Sequence, residues 1–124
     1  DTPRREILAF DYTDGTFHNE RSVVSTAHLD SSPDGMTVDE NDQLWVAFCH
    51  GACVCQFDPV SGKEITRIPL PCLETTACAF GGKDLSDLYV TTGIHKSVEE
   101  EHAGRLFVIT DLGIKGQAGH AFGG

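Results

Sequence analysis

The chain has 124 residues, the size of one small domain or of a piece of a larger one. Its 19 acidic residues outnumber its 9 lysines and arginines, and the formal charge of −10 excludes nucleic acid as an expected partner. A hydrophobic content of 40% is too high for disorder, and no apolar run approaches the roughly 20 residues of a membrane helix. Residues 1–6 lack the apolar core of a signal peptide, so we expect neither membrane insertion nor secretion.

Strands and turns dominate the pattern, and no amphipathic helix of ten or more residues is predicted. Asp14-Gly15 is a strong hairpin signal between the first two predicted strands. Residues 44–48 are nearly all apolar, as expected for a strand covered on both faces. The charged residues near 97–102 predict a solvated loop insert at 93–104. The predicted strands are, in chain order, 7–12, 21–26, 36–38, 44–48, 52–57, 63–70, 77–80, 87–92 and 106–110.

The strands repeat along the chain. Residues 44–47 (Leu-Trp-Val-Ala) and 88–91 (Leu-Tyr-Val-Thr) are similar and lie 44 residues apart. A second similarity joins residues 10–15 to residues 57–62, at a spacing of 47 residues. Periods of this size, with about four strands each, are typical of β-propeller blades. The equivalent positions of Trp45 and Tyr89 predict that both pack between blades.

The fold class predicted from this repeat is all-β, a partial β-propeller of about two and a half four-stranded blades. We expect a partial blade at 1–30, a complete blade at 31–72, and a last blade at 73–124 that contains the insert at 93–104. Closed propellers use roughly four to eight blades, so the chain is not expected to close a ring alone. Three alternatives stay open: an excerpt of a longer polypeptide, assembly of copies, or a smaller open sandwich.

The five cysteines and six histidines form no recognisable zinc motif. The odd cysteine count argues against a disulfide framework and favours a reducing, cytoplasmic location. We therefore expect all five cysteines to be small packing residues, with Cys53 and Cys55 on one face of a strand. His50 follows a predicted strand, where it either reaches the mouth of a cavity or lies on the surface.

Residues 39–42 (Asp-Glu-Asn-Asp) suggest a calcium-binding loop at first sight. Counted from Asp39, however, the sixth position is Leu44 instead of glycine, and the twelfth is His50 instead of glutamate. A solvent-facing hairpin turn is therefore the prediction for this segment.

Several segments, in order and at matching spacing across nearly the whole chain, resemble one known family. These segments are 32–39 (Ser-Pro-Asp-Gly-Met-Thr-Val-Asp), 44–47, 57–63, 76–83, 88–91 and 113–116. They resemble the C-terminal part of the six-bladed propeller of the regucalcin (senescence marker protein), luciferin-regenerating enzyme and gluconolactonase family. The resemblance implies hydrolysis of sugar lactones with a divalent metal, calcium or zinc, on the central axis. The metal would act as a Lewis acid on the lactone carbonyl and position the attacking water.

The family's metal ligands are a glutamate near the chain start, two mid-chain asparagines and the aspartate of the Pro-Asp-Gly-Met motif. Only the last carries over, onto Asp34, which the resemblance implies to be a metal ligand and the candidate catalytic base. Asn19 and Asn41, the only asparagines here, lie in predicted turns. One carboxylate cannot hold calcium, which takes six to eight oxygen ligands.

Two interpretations of Asp34 follow. It is either a turn former, as is common in Pro-Asp-Gly, or it faces a central cavity, aimed inward by a bend at Gly35. Two functions follow as well. The first is a metal-dependent lactonase that is active once a homodimer or another chain supplies the missing half ring. The second is a non-catalytic, truncated propeller that acts as an interaction module through its exposed blade faces.

Overall fold

The computed structural model describes residues 1–119, and residues 120–124, which include His120 and the end of the predicted last blade, lie outside this range. Within the described range the regular structure is entirely β, which confirms the predicted class. The strands are β1 Glu6–Thr13, β2 Thr16–Ser25, β3 Ser32–Val38, β4 Leu44–Cys49, β5 Cys53–Phe57, β6 Glu64–Pro69, β7 Thr75–Gly81, β8 Asp87–Thr92 and β9 Leu106–Ile109. No helix of residues 1–119 has the length and apolar character needed to span a membrane.

The strands form three antiparallel sheets, each made of consecutive strands. Sheet 1 contains β1 and β2, sheet 2 contains β3 to β6 and sheet 3 contains β7 to β9. The hairpin at Asp14-Gly15 is confirmed: Thr13 pairs with Thr16, and both loop residues have positive φ (50° and 79°), as a type I′ turn requires. Strand β3 begins earlier than predicted because its ladder continues through a bulge between Pro33 and Met36.

Strand β4 is buried on both faces, as its apolar run predicts. Leu44, Val46 and Phe48 pack in a cluster with Ile7 and Val24 of sheet 1. The alternate residues of β4 face the other way, because side chains of a strand point to opposite faces in turn. Trp45 and Ala47 accordingly pack in a second cluster with residues of sheet 3, among them Cys78, Leu88 and Val90. Sheet 2 therefore lies between the other two sheets.

Trp45 and Tyr89 differ in burial despite their equivalent positions. Trp45 is buried and makes an edge-to-face contact with Phe80 at 5.8 Å between ring centroids. Tyr89 is only half-buried, so the prediction that both residues pack between blades holds for Trp45 alone. The reason is alternation along β8: Leu88 and Val90 face sheet 2, and Tyr89 faces the side of sheet 3 that no described residues cover.

The turn after β3 is not fully solvent-facing, which corrects the prediction for residues 39–42. Asp39 is buried, whereas Glu40, Asn41 and Asp42 are exposed. Residues 115–116 cover this turn, since Asp39 pairs with Gly116 and the Glu40 backbone N–H donates to the Lys115 carbonyl at 2.8 Å.

The segment 93–104 is a loop, as predicted, and it folds back on the start of β7. The Gly93 backbone N–H donates to the Glu74 carbonyl at 2.8 Å, and the Gly104 N–H donates to the Gly93 carbonyl at 3.0 Å. Farther along the loop, the Glu100 carboxylate accepts a hydrogen bond from the Leu73 backbone N–H at 2.8 Å. These contacts close the base of the loop and hold it beside Glu74.

Candidate functional site

Asp34 lies on the bulge of β3 and is exposed. The ladder to β4 pairs Pro33 with Phe48 and resumes at Met36 with Val46, so Asp34 and Gly35 stand outside the regular pairing. A bulge changes the direction of the side chains of its extra residues, so the Asp34 side chain does not follow the regular alternation of the strand.

Gly35 is required here by close packing between sheets. A Cβ atom on Gly35 would lie 2.7 Å from the Cα of Ala77 and 2.9 Å from the Thr76 carbonyl oxygen. Its φ is not among the positive values of the chain, so the bend expected from glycine's left-handed freedom is not the reason for its presence. Gly35 instead allows β3 and β7 to approach each other next to Asp34.

A cluster of polar side chains lies at the same end of β3 and β4. Cys49 is the last residue of β4 and pairs with Ser32, at the start of β3. Its thiol donates to the Glu74 Oε2 atom at 2.9 Å, and its Sγ atom lies 3.5 Å from Nδ1 of His50. The His50 Nε2 atom lies 3.2 Å from Glu74 Oε1, so the Glu74 carboxylate joins both side chains. We call Cys49, His50 and Glu74 the thiol–imidazole–carboxylate cluster.

The loop 93–104 extends this cluster into a cleft of about 400 Å³, lined by His50, Glu74, Ile94, His95, Lys96 and Ser97. Nε2 of His95 lies 3.8 Å from Glu74 Oε1, and its ring makes an edge-to-face contact with His50 at 5.5 Å. Glu74 is half-buried, with 12% of its side chain exposed, and His50 is exposed, with 53% of its side chain accessible. Asp34 is not among the lining residues of this cleft.

Asp34 and the cluster nevertheless act on each other electrostatically. Burial, as the largest cause, together with the hydrogen bond to Glu74 and the negative charges of Glu74 and Asp34 raises the pKa of the Cys49 thiol to about 11. The thiol is therefore protonated at neutral pH. The carboxylates of Asp34 and Glu74 concentrate negative potential at this end of sheet 2.

The remaining cysteines are free and buried, as packing residues are expected to be. Cys53 and Cys55 lie on one face of β5, as predicted, with Sγ atoms 3.7 Å apart. The hydrogen bond from Cys55 lowers the pKa of Cys53 to about 7, and the same bond raises the pKa of Cys55. Cys49 departs from the prediction, because it is half-buried and belongs to the polar cluster.

The two asparagines lie away from Asp34's bulge, in a strand and a turn. Asn41 is in the turn after β3, as predicted. Asn19 is not in a turn: it lies within β2 with a positive φ of 52°, and its amide donates to Asp11 at 2.8 Å.

Sequence reasoning passed over Glu74 and His95 and left His50 open. The 44-residue repeat does not lead to Glu74, because the residue 44 positions after Ser32, the partner of Cys49, is Thr76; the strand pairing of sheet 3 is needed to find it. Pro33 pairs with Phe48, and Thr75 pairs with Thr92, which is 44 residues after Phe48. Glu74 therefore occupies in sheet 3 the place that Ser32, the partner of Cys49, occupies in sheet 2. His95 lies in the loop insert, which has no counterpart in sheet 2, so a comparison of the two sheets does not point to it.

Comparison with known proteins identifies the architecture and the family. Residues 1–94 match the SMP-30/Gluconolactonase/LRE-like region. YvrE of Bacillus subtilis (strain 168), which carries a provisional name as a sugar lactone lactonase, is 43% identical over 114 residues, 86% of this chain and 39% of YvrE. Homo sapiens regucalcin is 41% identical over 125 residues, 95% of this chain and 42% of regucalcin. A solved structure of luciferin-regenerating enzyme matches with a TM-score of 0.85 and 29% identity, over 96% of this chain and 42% of that one.

The three stacked sheets are thus part of a β-propeller of the kind found in regucalcin and luciferin-regenerating enzyme, which confirms the predicted partial propeller. The chain belongs to the SMP-30/gluconolactonase/LRE-like family, as the resemblance of its motifs predicted. It spans 39 to 42% of the length of the two curated relatives described above.

Proposed function

We propose that this chain supplies part of the active site of a sugar lactone hydrolase. The observation that carries the proposal is the family match over residues 1–94 together with the position of Asp34 on an exposed bulge of β3. The name of YvrE points to a sugar lactone as the substrate class. In this role Asp34 accepts a proton from the water that attacks the lactone carbonyl.

The family's metal requires more ligands than residues 1–119 offer around Asp34. Calcium takes six to eight oxygens, and Asp34 provides one carboxylate, so this residue alone does not fit a calcium ion. We propose that Asp34 is one ligand of a composite site, with the others supplied by the remainder of the ring. A bound divalent ion, calcium or zinc, would polarise the lactone carbonyl there.

The remainder of the ring comes, in this proposal, from a second copy of the chain or from further residues of the same polypeptide. The side of sheet 3 that carries Tyr89 also carries Leu106 and Val108, which are 60% and 48% exposed. Sheet 1 carries an exposed aromatic group in which the Tyr12 and Phe17 rings lie 5.2 Å apart. Uncovered apolar surface on both outer sheets supports stacking of further blades.

The blade boundaries and the location belong to the same proposal. We assign one blade segment to 1–30, a complete blade to 31–72 and a last blade with its insert from 73 to 124. The division of the strands into three sheets supports these boundaries as far as residue 119. Five free thiols support a reducing, cytoplasmic location.

A non-catalytic interaction module is the second candidate function. Two observations favour it. Of the family's metal ligands only one, Asp34, has a match in this chain, and the outer sheets carry the same uncovered apolar faces. In this case the apolar surface of the outer sheets binds a partner protein and no lactone is hydrolysed.

An activity assay separates the two candidates. Hydrolysis of glucono-lactone is measured with added calcium, zinc or manganese, alongside light scattering to give the oligomeric state. The lactonase proposal expects activity in a dimer or larger assembly, and a loss of about 100-fold or more in Asp34→Asn. Asp84→Asn, at an exposed position outside the site, is the matched control. A monomer that hydrolyses no lactone with any of the added metals would instead support the interaction module.

A further inference from the structure

We propose that Cys49, His50 and Glu74 form a binding site for a divalent transition metal of the zinc class. Their ligand atoms lie within 4.8 Å of one another, although Cys49 and His50 stand at the end of a strand of sheet 2 and Glu74 directly precedes the first strand of sheet 3. Thiolate, imidazole and carboxylate are the three ligand types that zinc accepts. The inference goes beyond lactone hydrolysis and does not depend on it.

The spacing of the first two ligands suits a tetrahedral ion. Zinc binds sulfur at roughly 2.3 Å and imidazole nitrogen at roughly 2.0–2.1 Å, so a tetrahedral angle separates these two ligands by about 3.6 Å. Sγ of Cys49 and Nδ1 of His50 are 3.5 Å apart. The third ligand is closer: Glu74 Oε2 lies 2.9 Å from Sγ, because the thiol proton occupies the space between them. The carboxylate moves outward by less than an ångström, on the order of 0.7 Å, when an ion replaces that proton.

The position of the Glu74 carboxylate suits the form of the histidine that the site requires. Nε2 of His50 lies 3.2 Å from Glu74 Oε1, so in the tautomer with its proton on Nε2 the Nδ1 lone pair is on the side of Cys49. A ligating histidine usually donates its other ring N–H to a carboxylate or a carbonyl, which fixes the tautomer. Glu74 therefore has two roles: Oε2 binds the metal and Oε1 holds the imidazole of His50.

The backbone fixes the three ligands before metal arrives. Cys49 ends a strand, and His50 sits in a left-handed conformation (φ 63°) inside a turn closed by the Gly51 N–H on the Phe48 carbonyl. Glu74 is held through its own carbonyl, which accepts the Gly93 N–H. Prior ordering lowers the entropic cost of binding.

The charges balance on binding. The metal displaces the Cys49 thiol proton to solvent, so a thiolate, a carboxylate and a neutral imidazole surround a dication and the net charge of the site is zero. Asp34 adds a nearby negative charge, and Lys96 in the lining of the cleft opposes the cation. Because about half of the His50 side chain is exposed, the fourth coordination position of the metal would be open to water. His95 is bound through Nδ1 to the Ser97 N–H at 3.2 Å, so it remains outside the ligand set.

Titration with cobalt(II) tests the site, because a thiolate bound to cobalt gives a near-ultraviolet charge-transfer band. We expect the purified chain to develop this band at one cobalt per chain and zinc to abolish it by competition, whereas calcium leaves it unchanged. Cys49→Ser should remove the band. His50→Asn should weaken cobalt binding by at least about tenfold, and it suits the backbone because asparagine tolerates a positive φ.

Two controls locate the metal. His18→Asn, at an exposed position of β2, should bind cobalt as the unmodified chain does. Cys53→Ser should also retain the band. If the band is lost in Cys53→Ser and retained in Cys49→Ser, the metal binds at the Cys53–Cys55 pair and the proposal is overturned. Absence of any band in the folded, unmodified chain would overturn it too. Where Cys49→Ser fails to fold, Glu74→Gln and His50→Asn provide the same test.

The lactonase proposal fails independently of this one. Asp34→Asn should abolish lactone hydrolysis while leaving the cobalt band in place. A chain without lactonase activity that still shows the band, lost in Cys49→Ser, would support the cluster and contradict the lactonase proposal alone.

Discussion

At the scale of single residues, Asp39 is a fully buried acidic side chain. Its carboxylate is buried and accepts hydrogen bonds from the backbone N–H groups of Asn41 and Gln43 and from the side chains of Trp45 and Gln56. The two side-chain bonds are 2.8 and 2.9 Å long. A residue whose sequence context indicates a loop on the surface is thus part of the core between sheets 2 and 3.

Replacing Asp39 by alanine should lower the free energy of unfolding by about 3 kcal/mol, because the Trp45 N–H and the Gln56 amide lose their acceptor in a buried setting. Urea denaturation followed by tryptophan fluorescence measures the change. Asp84→Ala, at an exposed position, should shift stability by less than about 0.5 kcal/mol. Equal effects of the two substitutions would contradict the structural role of Asp39.

The Cys78 thiol makes the free energy of unfolding depend on pH in the alkaline range. Burial raises its pKa from 9.0 to about 12, and its thiol donates to the Trp45 carbonyl at 3.2 Å. Because the unfolded chain releases this proton first, the contribution of Cys78 is fully present below pH 9 and is lost as the pH rises toward about 12. The slope should approach about 1.4 kcal/mol per pH unit.

The difference in unfolding free energy between the unmodified chain and Cys78→Ser isolates this effect, because other groups titrate alike in both proteins. We expect the difference to be constant from pH 7 to about 8.5 and to shrink above pH 9. A difference that stays constant throughout would show that the Cys78 thiol ionises as easily in the folded chain as in the unfolded one.

At the scale of elements, the approach of β3 to β7 brings together Asp34, Gly35 and the start of sheet 3. These two strands belong to different sheets and share no ladder, so the approach depends on side-chain size alone. Glycine at position 35 opposite alanine at 77 is what permits it.

Gly35→Ala should therefore destabilise the fold by about 1–3 kcal/mol, since the new methyl group meets the Ala77 and Thr76 backbone, which cannot move without separating the sheets. Thermal denaturation gives the shift in midpoint. Gly119→Ala is the matched control, because a Cβ atom there meets nothing within 4 Å. A loss of stability no larger than that of the control would mean that β3 and β7 are not closely packed.

At the scale of the whole molecule, sheet 2 is covered on both sides, and within residues 1–119 the outer sheets are each covered on one side. Alternation along β8 and β9 sends Leu88 and Val90 toward sheet 2 and leaves Tyr89, Leu106 and Val108 on the free face. A single blade cannot bury both of its faces, and propellers meet this need by stacking blades.

If copies of the chain complete the ring, Leu106→Lys should shift the equilibrium from dimer to monomer, because a charge would be buried between stacked sheets. Light scattering over a concentration series measures the shift. Ile65→Lys is the control: Ile65 is 53% exposed, close to the 60% of Leu106, but belongs to sheet 2, which lies between the other two sheets. An unmodified chain that is monomeric throughout would exclude this assembly.

The sequence by itself determined the order of the strands, the hairpin at Asp14-Gly15 and the blade repeat, although β2 and β3 begin at Thr16 and Ser32, earlier than their predicted starts at residues 21 and 36. These depend on local rules: turn residues with positive φ, alternation of side chains and the apolar run of β4. The set of motifs along the chain, of which the one around Asp34 is a member, also determined the family, because the order and spacing of motifs can be read without the fold.

Only the tertiary structure decided the burial of Asp39 and the unequal burial of Trp45 and Tyr89, because each depends on which neighbouring sheet covers a face. The same holds for the thiol–imidazole–carboxylate cluster. Glu74 lies 25 positions after Cys49, and no local spacing rule connects residues that meet only where two separate sheets end side by side. Ligands brought together by stacking leave no periodic pattern in the chain, and their position becomes visible when the sheets are placed in space.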